Sequence, residues 1–195
     1  MKNFIFISAA FIAFVLCTAA VRAGETGLIL NQPMPEFELP VPQDQLKRNY
    51  LNLQSDKKTF KLGELQEGLV IVEIFSMYCP FCQREAPNVN ALFKLIQDNP
   101  KLARRIKMIG IGVGNSSFEV DFFRKSYKIE FPLFPDEDFK IHKLCGEVRT
   151  PYFIGLKITP GHKTEVFHTH AGGFGSPREF LAEILKRSGL EQGGI

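Results

Sequence analysis

The clearest hydrophobic pattern in this chain is the run from Leu69 to Phe75, which is apolar at every position except Glu73. A short apolar run without alternation is typical of a strand in a parallel sheet, which is covered on both faces. From Pro80 to Asp98 the apolar residues instead recur at helical spacing and end before a proline. Together the two segments predict a buried strand that leads directly into an amphipathic helix.

Strand and helix patterns continue to alternate after this helix. We predict strands at Lys107 to Val113, Phe131 to Phe134, Tyr152 to Ile158 and Thr164 to Thr169. We predict helices at Phe118 to Tyr127, Glu137 to Gly146 and Pro177 to Lys186, the last one capped by Ser176. A turn at residues 159–162 joins the last two strands. This order predicts an α/β fold with a mixed sheet.

The segment before the apolar strand has weaker signals. Gln32 to Gln43 is rich in proline and is predicted to be extended and irregular, with an edge strand at Phe37 to Leu39. Tyr50 to Leu53 is interpreted as a second strand that pairs with it.

Two cysteines lie where the buried strand meets the helix, in the motif Cys79-Pro80-Phe81-Cys82. The first turn of a helix stabilises negative charge through its unpaired N–H groups and its dipole, so we expect a lowered thiol pKa at Cys79. Cys82 lies one turn later, close enough to form a disulfide with it. Pro80 suits the first helical position, where an N–H is not needed. The motif favours redox chemistry over two alternatives, half of a zinc site or a purely structural disulfide.

The N-terminal segment predicts export from the cytoplasm. A positive start at Met1 to Asn3 precedes a nearly unbroken apolar stretch from Phe4 to Leu16 and small residues up to Ala23. This pattern is typical of a signal peptide, so we predict that residues 1–23 are cleaved and that residues 24–195 form a single domain. The apolar stretch is shorter than the roughly 20 residues of a membrane-spanning helix, although an uncleaved anchor stays an alternative. Export would place the thiols in an oxidising, periplasmic compartment.

The remaining cysteines and the charge add less. Cys17 would be lost with the signal, which leaves Cys145 as a third thiol in the mature chain. It could trap a mixed disulfide, but a single cysteine on a packed helix is more often a small buried hydrophobe. Part of the net charge of +3 belongs to Lys2 and Arg22, so nothing indicates nucleic acid as a partner.

At this point the residues resemble a family, the thioredoxin-like periplasmic oxidoreductases of the TlpA/ResA or redoxin type. The resemblance covers roughly Pro35 to Lys186 and rests on Tyr78 before the dithiol motif, Pro87 five residues after it, Glu73 six residues before Cys79, and Thr150-Pro151 at the start of a strand. It implies a thioredoxin-like fold with a central mixed β-sheet flanked by helices, an N-terminal extension and a strand-helix insertion around Met108 to Phe131.

The resemblance also implies roles for individual residues. Cys79 would attack the substrate sulfur and Cys82 would resolve the mixed disulfide. Glu73 is costly to bury as an ion, so its pKa should rise and it could relay a proton to or from Cys82. A cis peptide bond between Thr150 and Pro151 would leave a free backbone edge for an extended substrate, and Tyr78, Pro80 and Phe81 would border that substrate.

We therefore expect a thiol-disulfide oxidoreductase that needs no cofactor or metal, because the dithiol itself carries two electrons. Its expected partners are proteins with thiols or disulfides and a membrane-embedded redox protein, and we expect a monomer. Tyr78 and Phe81 stand where TlpA/ResA-like reductases usually carry Trp and Pro, so the direction of electron flow stays open.

Two other functions stay open as alternatives. The first is a copper-delivering protein that uses Cys79, Cys82 and a histidine, with His168 and His170 facing the same side of a strand. That branch of thioredoxin-like proteins usually spaces its cysteines by three residues, and we expect the histidine pair to lie at the surface. The second is a peroxiredoxin-like peroxidase. The peroxidatic motif carries Thr or Ser three residues before its cysteine, and in this chain Cys79 occupies that place before Cys82.

Overall fold

The computed structural model of the chain describes residues 28–54 and 56–190. In this part of the chain the strands are β1 (Glu38–Pro40), β2 (Thr59–Lys61), β3 (Gly68–Phe75), β4 (Ile106–Val113), β5 (Leu133–Asp136), β6 (Tyr152–Thr159) and β7 (Lys163–Ala171). The α-helices are α1 (Gln45–Leu51), α2 (Pro80–Gln97), α3 (Pro100–Arg105), α4 (Ser117–Ser126), α5 (Lys140–Leu144) and α6 (Pro177–Ser188). The predicted signal peptide lies outside the described residues.

The strands form a mixed central sheet, as the sequence predicted. Its order is β5-β4-β3-β6-β7, and β1 pairs with β2 in a separate small sheet near the N-terminus. β3 is parallel to β4 and β4 to β5, whereas β6 is antiparallel to both β3 and β7. The segment from Met108 to Phe131 contains most of β4 and the helix α4, which leads to the parallel edge strand β5.

β3 lies at the centre of the sheet and is buried on both faces. Its apolar odd-numbered positions belong to a core covered by α2, α4 and α6, and its even-numbered positions belong to a second core beneath α1, α5 and the small sheet. Successive side chains of a strand point to opposite faces, so Glu73 points to the α2 side. The apolar pattern of β3, which only Glu73 interrupts, arises because the strand contributes to two cores, one on each face of the sheet.

α2 begins where β3 ends, and its residues explain its limits. Cys79 is the N-cap residue, Pro80 is the first helical residue, and the helix ends at Gln97. Its buried face follows the predicted spacing and includes Cys82, Glu85 and Ala86 near the start of the helix. Pro87 lies inside the helix, as the sequence suggested.

The predicted strand at Tyr50 to Leu53 is wrong. Asp44 caps a helix there by accepting a hydrogen bond from the Leu46 N–H, and Leu51 is buried at the end of that helix. Asn52 then adopts the left-handed conformation and ends α1. The partner of β1 is β2, which pairs Leu39 with Phe60 and buries both side chains.

The helix α3 was not predicted from sequence. The proline after α2 ended the predicted pattern, but Asn99 accepts hydrogen bonds from the N–H groups of Lys101 and Leu102 and so begins a new helix. Proline at a first helical position suits this restart. Among the described residues, no helix is both long and apolar enough to cross a membrane.

Candidate active site

Cys79 lies at the junction of β3 and α2, where the sequence predicted a reactive thiol. Its side chain is partly exposed, and its sulfur accepts a hydrogen bond from the Cys82 N–H at 3.4 Å. The Cys79 N–H donates to the Ser76 carbonyl at 3.0 Å, which holds the turn before the helix. The unpaired N–H groups of the first helical turn therefore face this sulfur.

The surroundings of Cys79 lower the pKa of its thiol. Partial burial acts in the opposite direction and raises the pKa, but hydrogen bonds from the Thr150 side chain, from Cys82 and from the Phe81 N–H outweigh it. In its protonated form the thiol donates to the Thr150 carbonyl at 3.3 Å. Cys79 is thus the thiol of the pair that most readily forms the thiolate, which is the nucleophile in disulfide exchange.

Cys82 has the opposite character. Its side chain is completely buried, and burial strongly raises the pKa of its thiol. A hydrogen bond from the Ser76 N–H lowers the pKa, whereas the negative charges of Glu73 and Cys79 raise it further. All three cysteines in the described part of the chain are free thiols in this structure. One accessible, acidic thiol and one buried, weakly acidic thiol therefore form the pair.

Glu73 is only 2% exposed, as expected for an acid in the middle of β3. Burial raises the pKa of its carboxyl to about 8, and the neighbouring charge of Glu85 adds to the increase. Since ionised Glu73 raises the pKa of Cys82, the two groups interact electrostatically. The carboxyl is mostly protonated at neutral pH and can exchange a proton within the physiological range.

The peptide bond between Thr150 and Pro151 is cis, and it precedes β6 directly. The Thr150 carbonyl faces the Cys79 sulfur, so this backbone segment borders the reactive thiol. A groove of about 500 Å³ opens beside it. Its lining is mostly apolar and includes Tyr78, Phe139, Val148 and Thr150.

The sequence of this chain matches a family of known proteins. A family model described as the AhpC/TSA family matches residues 30–168. The chain belongs to the AhpC/TSA family.

Curated relatives and solved structures support the same class. The thiol-disulfide oxidoreductase ResA of Oceanobacillus iheyensis is 23% identical over 155 residues, which cover 78% of this chain and 76% of that protein. ResA of Bacillus subtilis is 22% identical over 143 residues, 70% of each chain. A structure from Chlorobium tepidum, assigned as a thiol:disulfide interchange protein DsbE, has a TM-score of 0.60 at 16% identity and covers 82% of this chain and 96% of its own.

The resemblance inferred from the sequence is confirmed in fold and class. The fold is thioredoxin-like, and this AhpC/TSA-family chain is a thiol-disulfide oxidoreductase.

Tyr78, Pro80 and Phe81, which were predicted to border the substrate, flank Cys79 in the turn and at the start of α2. Tyr78 and Phe81 are 64% and 63% exposed. The Tyr78 hydroxyl donates to the Glu119 carboxylate, and the Arg84 guanidinium lies 4.4 Å from the centre of the Phe81 ring. Pro80 is exposed between them. The structure therefore brings all of the predicted site residues to one end of the sheet.

Glu85 is an acid near the dithiol that sequence reasoning missed. It is buried one turn after Cys82 on α2, and its carboxylate accepts hydrogen bonds from the Phe174 N–H at 3.0 Å and from the Asn88 side chain at 3.2 Å. These contacts tie the loop after β7 to α2. Its position on the apolar face of α2 was the available signal, because a charged residue on such a face is rare.

Cys145 is not close to this site. It belongs to the core on the opposite face of the sheet from Cys82 and is completely buried. Burial raises the pKa of its thiol to about 12, and the charge of Asp136 contributes. These properties agree with the predicted role as a small buried hydrophobe.

His168 and His170 share one face of β7, as predicted, with ring centres 6.4 Å apart. The expectation that this pair lies at the surface is wrong for His168, which is 3% exposed because α6 packs over it. Within residues 28–54 and 56–190, no group of three or more His, Cys, Asp or Glu side chains could hold a metal ion.

Proposed function

We propose that the chain is an exported thiol-disulfide oxidoreductase that exchanges disulfides with protein substrates through Cys79 and Cys82. The observation that carries this proposal is the contrast between the two thiols, one accessible with a lowered pKa and one buried with a raised pKa. Such a contrast suits a nucleophile and a resolving thiol that act in sequence. The same two groups supply both electrons, so no cofactor is part of the proposal.

In the reducing direction, the Cys79 thiolate attacks one sulfur of a substrate disulfide and forms a mixed disulfide, which releases the other substrate sulfur as a thiolate. The Cys82 thiolate then attacks the Cys79 sulfur, forms the Cys79–Cys82 disulfide and releases the second substrate thiolate. The substrate gains two electrons and the dithiol loses two. The oxidising direction is the same sequence in reverse.

Glu73 assists the second step in this proposal. The Cys82 thiol must lose its proton before it can attack, and burial makes this loss costly. The ionised carboxylate of Glu73 accepts that proton, and its population grows as the pH approaches about 8. Glu73 is therefore proposed as the proton acceptor of the resolving thiol.

Substrate binding is proposed along the cis-proline segment. An extended substrate segment lies against the Thr150 and Pro151 backbone, next to Tyr78, Pro80 and Phe81, and places its sulfur near Cys79. The support for this arrangement is the contact between the Thr150 carbonyl and the Cys79 sulfur and the apolar groove beside it. A membrane-embedded protein is proposed to restore the redox state of the dithiol, and the chain is proposed to act as a monomer.

The periplasmic location rests on the sequence of residues 1–23, which has the features of an export signal. In this proposal, residues 24–195 form a single exported domain. An oxidising compartment makes disulfide exchange with other exported proteins chemically reasonable.

The roles of the two cysteines are tested by trapping. Incubation of Cys82→Ser with a peptide disulfide should accumulate a mixed disulfide through Cys79, because the resolving thiol is absent. Cys79→Ser should form none, and Cys145→Ser should behave like the unmodified chain. Mass spectrometry of the non-reduced protein gives the result, and equal trapping by both active-site variants would contradict the assigned order.

The same preparation separates this function from a peroxidase. A peroxidatic cysteine must form a thiolate in contact with peroxide, and the buried Cys82 with its raised pKa is poorly suited to that role. Rapid consumption of hydrogen peroxide without exchange with peptide disulfides would contradict the proposal and favour the peroxidase. A titration against glutathione buffers then gives the reduction potential and hence the direction of electron flow.

A further inference from the structure

The turn that connects β3 to Cys79 is held by side chains from two other elements. The Met77 N–H donates to the Asn115 side-chain oxygen at 2.8 Å, and the Met77 carbonyl accepts from the Gln83 side chain at 2.7 Å. Backbone groups outside regular ladders need such partners when they are shielded from water. Both polar groups of one backbone residue are thus bound by side-chain amides, one following β4 and one on α2.

Asn115 is itself held in place. Its side chain is completely buried. The Asn115 backbone N–H donates a hydrogen bond to the Gly112 carbonyl at 3.2 Å. Its amide nitrogen faces the Ser76 hydroxyl at 3.5 Å. A side chain at Gly112 would press on the amide, since its Cβ would lie 3.2 Å from the Asn115 oxygen. Burial of an amide is costly without hydrogen bonds, so this residue is fixed mainly by its contacts with the turn.

The same turn supplies contacts to both thiols. The Ser76 carbonyl accepts a hydrogen bond from the Cys79 N–H at 3.0 Å, and the Ser76 backbone lowers the pKa of the buried Cys82 thiol. Ser76 directly precedes Met77, so any shift of the Met77 backbone moves these groups relative to the two sulfurs. The geometry of Met77 is therefore coupled to the stability of the reduced dithiol.

We propose that Asn115 and Gln83 form an amide clamp on Met77 that positions the turn before Cys79 and thereby sets the reduction potential of the Cys79–Cys82 pair. Neither residue touches the reacting sulfurs through its amide, so both are positioning residues. The inference rests on the proposed function in assuming that these two thiols form the redox couple. It adds to that function the two residues that set the reduction potential of the pair.

The clamp is tested by the equilibrium of the dithiol with glutathione. Gln83→Met removes the donor to the Met77 carbonyl at nearly constant size, and Asn115→Ala removes the acceptor for the Met77 N–H. Both changes loosen the turn and weaken the hydrogen bonds that stabilise the reduced form. The equilibrium constant should shift by about tenfold towards the disulfide, which corresponds to a potential about 30 mV more negative.

Asn90→Ala is the matched control. Asn90 is also an α2 residue, and its side chain donates to the Tyr127 carbonyl at 2.8 Å, away from the dithiol. The Asn90→Ala variant should lose about as much folding stability as the clamp variants. Its dithiol equilibrium with glutathione should stay within twofold of that of the unmodified chain. Because both clamp residues act through Met77, the double variant should shift the equilibrium no further than the larger single change.

A second readout separates positioning from a general loss of stability. The pH midpoint of Cys79 alkylation should rise in Gln83→Met and stay unchanged in Asn90→Ala. If Asn115→Ala does not fold, Gln83→Met decides the question alone. An equilibrium within twofold of the unmodified chain in Gln83→Met would overturn the clamp. The measurement needs no protein substrate, so a chain that failed the trapping test would still give a separate answer here.

Discussion

At the scale of single residues, the two active-site thiols differ because of where each sulfur lies. Cys79 lies at the helix cap with hydrogen-bond donors around it, and Cys82 lies in the core. Iodoacetamide should therefore modify Cys79 in the reduced chain near neutral pH, at least tenfold faster than Cys82 or Cys145. Peptide mass spectrometry over time measures the three rates. Faster labelling of Cys82 would reverse the assignment of nucleophile and resolving thiol.

Glu73 gives a second prediction at this scale, based on its raised pKa. The folded pKa of about 8 exceeds the unfolded value of about 4.3, so the native state keeps a proton that the unfolded state loses. This group therefore stabilises the fold fully below about pH 4, and its contribution is lost as the pH rises towards 8. In Glu73→Gln, the free energy of unfolding should therefore decrease less between about pH 4 and 8, by about a few kcal/mol.

Urea unfolding of both chains at pH 5, 7 and 9 measures the free energy of unfolding and tests this expectation. The variant should also resolve mixed disulfides more slowly, because the proposed acceptor for the Cys82 proton is missing. Identical pH dependence of stability and of turnover in both chains would exclude Glu73 as a buried proton acceptor.

At the scale of elements, the groove beside Thr150 is built by segments from different parts of the chain. Tyr78 comes from the turn before α2, Phe139 from the start of α5, and Val148 from the segment before β6. The Phe139 backbone has φ 59°, a left-handed conformation that is uncommon for an aromatic residue, and its ring packs against Gly114. The Phe139 ring thus forms part of the groove wall, and the left-handed backbone at this residue sets its position.

This arrangement predicts a selectivity for substrates. Phe139→Ala should lower kcat/KM about tenfold for peptide disulfides with a bulky apolar residue beside the cysteine, and much less for those with Ala there. Phe118→Ala is the control, because Phe118 is more exposed but does not line the groove. A uniform loss for both peptides would show that the groove does not bind that side chain.

At the scale of the whole molecule, α6 covers one edge of the sheet and buries His168. The groups that face this imidazole are His170 on its own strand and Glu183 and Arg187 on α6, and Phe180 packs against its ring. Burial lowers the pKa of His168, Glu183 opposes this effect, and Arg187 and His170 add to it. Its Nε2 atom has no hydrogen-bond partner among the described residues.

Burial of the His168 imidazole determines how the free energy of unfolding depends on pH. The folded pKa lies below the unfolded value of about 6.5, so the unfolded state binds the proton more readily. The contribution of His168 to the free energy of unfolding is therefore fully present above about pH 6.5 and decreases as the pH falls below it. His168→Phe should lose less stability between pH 7.5 and 5 than the unmodified chain. Thermal unfolding across this range measures the effect, and equal slopes would contradict it.

Local patterns predicted the elements whose signals do not depend on the rest of the chain. The apolar run of β3, the helical spacing of α2 and the thiols at their junction needed only strand and helix geometry. Burial of Glu73 also followed, because an acid in a doubly covered strand cannot reach water. The strand predicted at Tyr50 failed for the opposite reason. Four residues of mixed polarity suit a strand or a helix end, and the cap at Asp44 decided between them.

The sequence by itself therefore determined the fold class, the redox chemistry and the identity of the two thiols, since each depends on neighbours in the chain. Only the tertiary structure decided which groups surround those thiols. The Thr150 carbonyl reaches Cys79 from 71 positions away through the antiparallel pairing of β6 with β3. The Asn115 amide reaches Met77 from 38 positions away through the parallel pairing of β4 with β3. Their roles depend on distances set by packing, and no spacing along the chain encodes such distances.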